Sequence, residues 1–147
     1  MNAAKLRSLN ASDAWLLLTT AAMLPAYAVA VRAGWYKPAN WPLHVVRHEG
    51  SPVSRAQVLK VGALVNAAAR YSFWRPSCLV RSLVLIAQLR RRSIPGNLCI
   101  GVQMIEGELK AHAWVEQHGL PVNDRADIAR QFDPIDTGLG CIALGAP

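Results

Sequence analysis

Apolar residues fall along this chain in two long helical runs, one near-continuous apolar stretch and a pair of alternating segments. Residues 14–31 are the continuous stretch, broken only by Thr19, Thr20 and Pro25 and flanked by Lys5, Arg7 and Arg32. The pattern predicts a kinked helix packed on the rest of the chain, opening at a Ser12-Asp13 cap. A signal peptide ending near Ala26-Tyr27-Ala28 and a single membrane span are competing readings; Pro25 and the many alanines weigh against the span. A docking surface for partner proteins is a fourth. Residues 35–52, with Pro38, Pro42, Gly50 and Pro52, read as a linker. A second helix should start at Ser54, whose spacing to Gln57 is that of a capping box, and carry the stripe Val58, Val61, Val65 and Ala68.

A third helix follows Pro76 and Ser77. Leu79, Leu83 and Ile86 form one stripe, widened by Val80, Val84 and Ala87, so the helix should be largely buried. Arg90, Arg91 and Arg92 complement its C-terminal dipole, and Ser93-Ile94-Pro95-Gly96 stops it. Period-two alternation then predicts strands over 98–104 and 109–116, joined by a turn at Glu106-Gly107. That hairpin sets Gly101 opposite His112, leaving room beside the imidazole, and Cys99 beside Trp114, where Cys99 reads as packing. A second hairpin, centred on His118 in Gln117-His118-Gly119, would set His112 opposite Asp124 and Trp114 opposite Val122. Directly opposed residues share a face, with Cβ atoms roughly 4.5–5.5 Å apart. His118 itself reads as a turn residue. The tail after Phe132 reads as loop or weak strand. Helices followed by antiparallel strands give an α+β fold.

A chain of 147 residues, 52% of them hydrophobic, supports one compact domain. It would comprise an N-terminal apolar segment and linker over 1–52 and a core over 53–147. Three cysteines form no spaced framework and favour a reducing cytoplasm. The net charge of +7 is dispersed, without interleaved aromatic platforms, so no nucleic acid is expected as a partner. His44 and His48 have a helical metal-ligand spacing but no third ligand, so no metal is expected.

Chemistry concentrates at Cys78, His112 and Asp124. Cys78 falls in the first turn of the third helix, where unpaired N–H groups favour a thiolate and could stabilise an oxyanion. A base on a strand, steadied by an acid in register with it, completes the logic of Cys-His-Asp acyl transfer. Asp127, Asp133 and Asp136 are alternative acids; the hairpin register favours Asp124. Taken singly, each residue has an ordinary structural explanation: a small buried hydrophobe, a strand histidine, a turn aspartate.

The segments Cys78-Leu79-Val80-Arg81-Ser82-Leu83, Leu89-Arg90-Arg91-Arg92-Ser93-Ile94-Pro95, Ile100-Gly101-Val102 and Ala111-His112-Ala113-Trp114-Val115-Glu116 carry a family likeness. As an ordered set they resemble the transglutaminase-like cysteine proteases of lasso-peptide biosynthesis, the leader peptidases. The resemblance extends through Asp124 and, more loosely, upstream across most of the chain. It implies a transglutaminase-like, papain-like fold, with Cys78 as nucleophile, His112 as base and then acid, and Asp124 orienting the imidazole. Gly101, Trp114 and Arg75 would be placed to meet substrate. No cofactor is implied for the cleavage. Where the family usually has glycine before Ile-Pro, this chain has Ser93. Nothing before Ser54 resembles the winged-helix module of fused members, so the likeness is to split members. These act on a precursor peptide with a separate leader-recognition protein of the RRE type and a lasso cyclase. Rival expectations are a transglutaminase-type acyltransferase using the same three residues and a non-catalytic scaffold of the maturation complex. The expected location is the cytoplasm, with peripheral membrane association through the apolar N-terminal segment left open.

Overall fold

A computed structural model describes residues 10–35, 53–134 and 141–143. The linker residues 36–52, with His44 and His48, and Asp136 lie outside the described residues. Helix α1 spans Ala11–Arg32, α2 spans Arg55–Tyr71 and α3 spans Cys78–Arg90. Asn10, rather than Ser12, is the N-cap of α1. Its side chain accepts a 2.8 Å bond from the Asp13 N–H, and the Asp13 carboxylate accepts a 3.3 Å bond from the Asn10 N–H. An Asn-x-x-Asp spacing is thus a capping box with a shorter acid than usual. The box read at Ser54 and Gln57 is present on α2.

Helix α1 lies on α2 and α3. Its buried stripe is Asp13, Leu16, Thr20 and Leu24, while Trp15, Leu18 and Val29 on the far side are exposed. The expectation of a buried helix therefore holds for one face alone. By length and composition α1 could also cross a bilayer, with a mean hydropathy of 1.7 over its most apolar window. The two threonines that interrupt its sequence have a structural use. The wholly buried Gln88 of α3 donates to Thr19 Oγ1 at 3.0 Å and to Thr20 Oγ1 at 3.1 Å, and accepts from Arg92 at 3.0 Å.

Asp13 makes a further tie, a 2.7 Å ion pair with Lys60 of α2. That Lys60 bond, opposed by burial and helped by the Asn10 N–H, holds the Asp13 carboxyl below its ordinary 3.8. A carboxyl with a lowered folded value contributes stability that is complete above the unfolded value and is lost as pH falls through the folded one. Denaturant midpoints at about pH 5 and about pH 3 should therefore fall less for Asp13→Asn than for the wild type, the difference arising below 3.8.

Strands β1 (Asn97–Ile105) and β2 (Glu108–Gln117) form the first hairpin in the expected register, with Gly101 opposite His112 and Cys99 opposite Trp114. Glu106 and Gly107 both have positive φ, 52° and 81°, the two-residue turn that suits twisted strands. After the two-residue β3 (Leu120–Pro121), a short helix α4 (Ile128–Gln131) leads to β4 (Asp133–Pro134) and β5 (Cys141–Ala143). The sheet order is β3-β2-β1-β4, with β5 also pairing β1. Together these elements are α+β, as expected.

The sheet divides the apolar residues into two groups. Leu98, Ile100, Ala113 and Val115 face the main core with Val58, Val65, Leu85 and Leu89 of the helices. Cys99 and Trp114 face the other way and are covered by Ile128 and Phe132. Cys99 is wholly buried, as a packing residue should be, but it is also disulfide-bonded, which the sequence reading did not foresee. Cys141 stands opposite it in the backbone register. The cysteine count therefore gives no argument for a reducing compartment.

Candidate active site

Cys78 is the first residue of α3. Ser77 caps the helix, its hydroxyl accepting from the Val80 N–H at 3.3 Å and its carbonyl from the Arg81 N–H at 3.0 Å. The Cys78 and Leu79 amides come before the first helical bond and have no carbonyl within the helix to meet. The thiol is half-buried and not in a disulfide. It sits beside the free N–H groups of the first turn, which are placed to meet an oxyanion forming next to the sulfur.

His112 and Asp124 meet: Nε2 lies 2.8 Å from Oδ2, with side chains 22% and 16% exposed, so the pair is partly reached by solvent. The route to this contact differs from the expected one. Glu116 pairs with Pro121 and Gln117 with Leu120, one residue off the register centred on His118. The turn is the two-residue His118-Gly119, with φ of 51° and 72°. Continued regularly, that ladder would set Asp124 opposite Ala113 and turn it to the wrong face. The ladder stops first. The Val122 N–H still bonds the Val115 carbonyl at 2.8 Å, but the Val115 N–H is taken at 2.8 Å by the side chain of Asn123. With a side chain standing in for backbone, the chain leaves the sheet after Val122 and Asp124 swings back to His112.

Asn123 is a buried hub. Its amide also donates to Ser82 Oγ at 3.1 Å, and its carbonyl accepts from Asn66 of α2 at 2.8 Å. Ser82 Oγ in turn donates to the Ala113 carbonyl at 3.0 Å, beside His112. One network thus joins α3, β2 and the Asp124 turn. Arg81 adds a second tie, its guanidinium 3.5 Å from Asp124 Oδ2. Positions 78, 81 and 82 share a helical face, so the side of α3 that carries Cys78 is the side docked on the strand and turn. The Cys78 thiol and His112 are not hydrogen-bonded in this structure; such contacts are commonly long before substrate arrives. With Nε2 given to the carboxylate, Nδ1 is the ring nitrogen available to a thiol.

The imidazole is held from its sides. Trp114 stacks near it, with centroids 6.2 Å apart and planes 17° from parallel, and Phe132 lies 5.1 Å away. Phe132 escaped the sequence reading, because its contact depends on where α4 returns to the sheet. Gly101 also finds a different use. A Cβ there would lie 2.8 Å from the Phe132 Cβ and 3.2 Å from the Trp114 ring, so the room beside His112 is filled by Phe132. Trp114 is 3% exposed and donates to Glu116 at 2.8 Å, so it supports the imidazole from within. Arg75 is exposed, on the segment entering α3, with a left-handed φ of 38°. Among the described residues no group of three His, Cys, Asp or Glu side chains could hold a metal.

The turn that carries Asp124 is backed by α2 at Gly62. An added Cβ would overlap the Val122 carbonyl oxygen and lie 2.9 Å from its Cγ1. Alanine is ordinarily better than glycine inside a helix by about 1 kcal/mol. Here Gly62→Ala should instead destabilise by about 2–3 kcal/mol, read from a denaturant midpoint, because backbone must move to admit the methyl.

A family model described as the transglutaminase-like superfamily matches residues 23–137. The chain belongs to that superfamily. Superfamily members include cysteine peptidases and transglutaminases, both acyl-transfer catalysts built on a cysteine. The match runs from within α1 past β4, so it takes in Cys78, His112 and Asp124 together. No curated protein and no solved structure matches the chain.

Proposed function

We propose that this chain is a cysteine peptidase that removes the leader from a ribosomally made lasso-peptide precursor. The observation that carries a catalytic reading is the His112–Asp124 contact at 2.8 Å, tied by Arg81 to the helix that begins with a free Cys78. The finer reading rests on the ordered sequence likeness around Cys78, Gly101 and His112.

In this reading His112 Nδ1 takes the thiol proton and the Cys78 sulfur attacks the scissile carbonyl carbon. The tetrahedral oxyanion is met by the Cys78 N–H. Collapse breaks the C–N bond, and the imidazolium gives its proton to the departing amine, leaving a thioester. Imidazole then deprotonates water, which attacks the thioester carbonyl; its collapse releases the leader acid and regenerates the thiol. Asp124 keeps the Nε2 proton directed and offsets the imidazolium charge in the intermediate states. No cofactor takes part. Substrate would be delivered by a separate leader-recognition protein, and the freed core would pass to a cyclase.

The test is direct. The chain is incubated with a lasso-peptide precursor, with and without a leader-recognition protein, and the fragments are weighed. Two fragments whose summed mass exceeds that of the precursor by one water support the peptidase. A product lacking that water and joined to an amine would assign acyl transfer, which the superfamily also includes.

A further inference from the structure

Between α1 and the end of α2 lies a groove of about 800 Å³ that the proposed chemistry leaves unused. Ala21, Pro25 and Ala68 line it with small side chains that leave space, and Tyr71, Phe73 and Trp74 line it with aromatic surface. No charged side chain lines it. Phe73 is fully exposed, and Tyr71 and Trp74 are 62% and 41% exposed, so three aromatic rings in four residues face water. Burying one such ring is worth roughly 1.5–3 kcal/mol, a standing attraction for an apolar ligand.

Three observations choose among possible occupants. Pro25 lies inside α1 and has no N–H, so the Ala21 carbonyl one turn before it lacks its helical partner. Both residues line the groove, so the carbonyl that Pro25 leaves unpaired belongs to its wall, beside apolar surface. A peptide N–H can satisfy that acceptor; a hydrocarbon chain cannot. The groove is also continuous in sequence with the nucleophile. Trp74 precedes Cys78 by four residues, so their Cα atoms are at most about 14 Å apart, the length of about four residues of extended peptide. The link between them holds Arg75 in its left-handed conformation, φ 38°, the kind of local strain that clusters at working sites.

We infer that the groove is a substrate subsite, taking a large apolar side chain of the peptide within about four residues of the cleaved bond. The inference rests on the peptidase reading, and it names a requirement on substrate sequence. Phe73 is the residue that grips the side chain, and the Ala21 carbonyl accepts from the main chain beside it.

The experiment uses decapeptides derived from the precursor around its cleavage site, with each position in turn set to leucine, phenylalanine, alanine or serine. For the full chain, leucine or phenylalanine at one position near the cut should lower KM about tenfold relative to serine, with kcat little changed. Phe73→Ala should remove that preference, and Phe73→Leu should restore most of it. With alanine at the critical peptide position, Phe73→Ala should make no difference. Because Phe73 is fully exposed, its replacement leaves the packed core untouched. Should no decapeptide be cleaved, the full precursor with its recognition protein decides the peptidase reading, and the same decapeptides are measured by fluorescence anisotropy against Cys78→Ala. Phe73-dependent binding of the apolar peptides there still upholds the groove as a peptide site. A flat response at every position, in turnover and in binding, overturns it. So would Phe73-dependent sedimentation with phosphatidylglycerol vesicles, or Phe73-dependent dimerisation, when the peptides compete with neither.

Discussion

Replacing Cys78 by alanine should lower cleavage of the precursor by about 10⁴-fold or more while leaving the fold intact. The size follows from the role: without the sulfur no thioester forms, and the remaining groups can only bind and polarise the amide. Retention of the fold follows from the position. Cys78 is half-buried at the first residue of α3, against the edge of the core, so losing one sulfur removes little buried area and costs about 1 kcal/mol or less. The helix cap is made by Ser77, not by Cys78, and persists in the variant. Fragment masses measure the loss, and an unchanged circular dichroism melt checks the fold. If this chain were a scaffold that gathers other proteins, processing would survive the substitution; processing at even a tenth of the original rate would exclude Cys78 as the nucleophile.

Asp124→Asn should cost about 10²- to 10⁴-fold in kcat/KM. The carboxylate does two jobs at Oδ2: it accepts from His112 at 2.8 Å and it faces the Arg81 guanidinium at 3.5 Å. An amide of the same shape can keep one hydrogen bond to the ring but supplies no charge against the imidazolium. It also leaves Arg81 without a counter-ion. Oδ1, which accepts from the Arg125 N–H at 2.9 Å, can be replaced by the amide oxygen, so the turn should hold. Loss of turnover with unchanged binding of the decapeptides to the double variant Cys78→Ala/Asp124→Asn is the expected pattern. Equal losses in binding and turnover would mean that the substitution had moved the turn.

The fold was legible wherever short-range chemistry decides it. The capping box at Ser54, the buried face of α3 and the register of the first hairpin all follow from neighbours within a few residues. The second hairpin shows the limit. The His112–Asp124 pairing was foreseen from a three-residue turn, yet the turn has two residues, with His118 in a left-handed conformation that its sequence does not announce. Two departures offset each other, because Asn123 interrupts the ladder at Val115 and redirects Asp124. Nothing local to Asn123 signals this, since its partners Ser82 and Asn66 are 41 and 57 residues away. Phe132 and the closed space at Gly101 were hidden for the same reason, as was the disulfide of Cys99. The Asn10 cap was within reach: an amide three residues before an acid has the spacing of a box, but the nearer Ser12 drew the reading.

Helix α3 has one more implication. From Val80 to Leu89 every residue except Arg81 is buried, and the same rod carries Cys78 at its tip. Drift in such a rod is penalised twice, once by collapse of the interior and once by misplacement of the thiol. The tip of the first hairpin, from Met104 to Lys110, lies wholly in solvent and bears neither burden. Lineages of this protein should therefore diverge fastest at that outer loop and slowest along the rod, so that catalytic geometry is inherited as a by-product of staying folded.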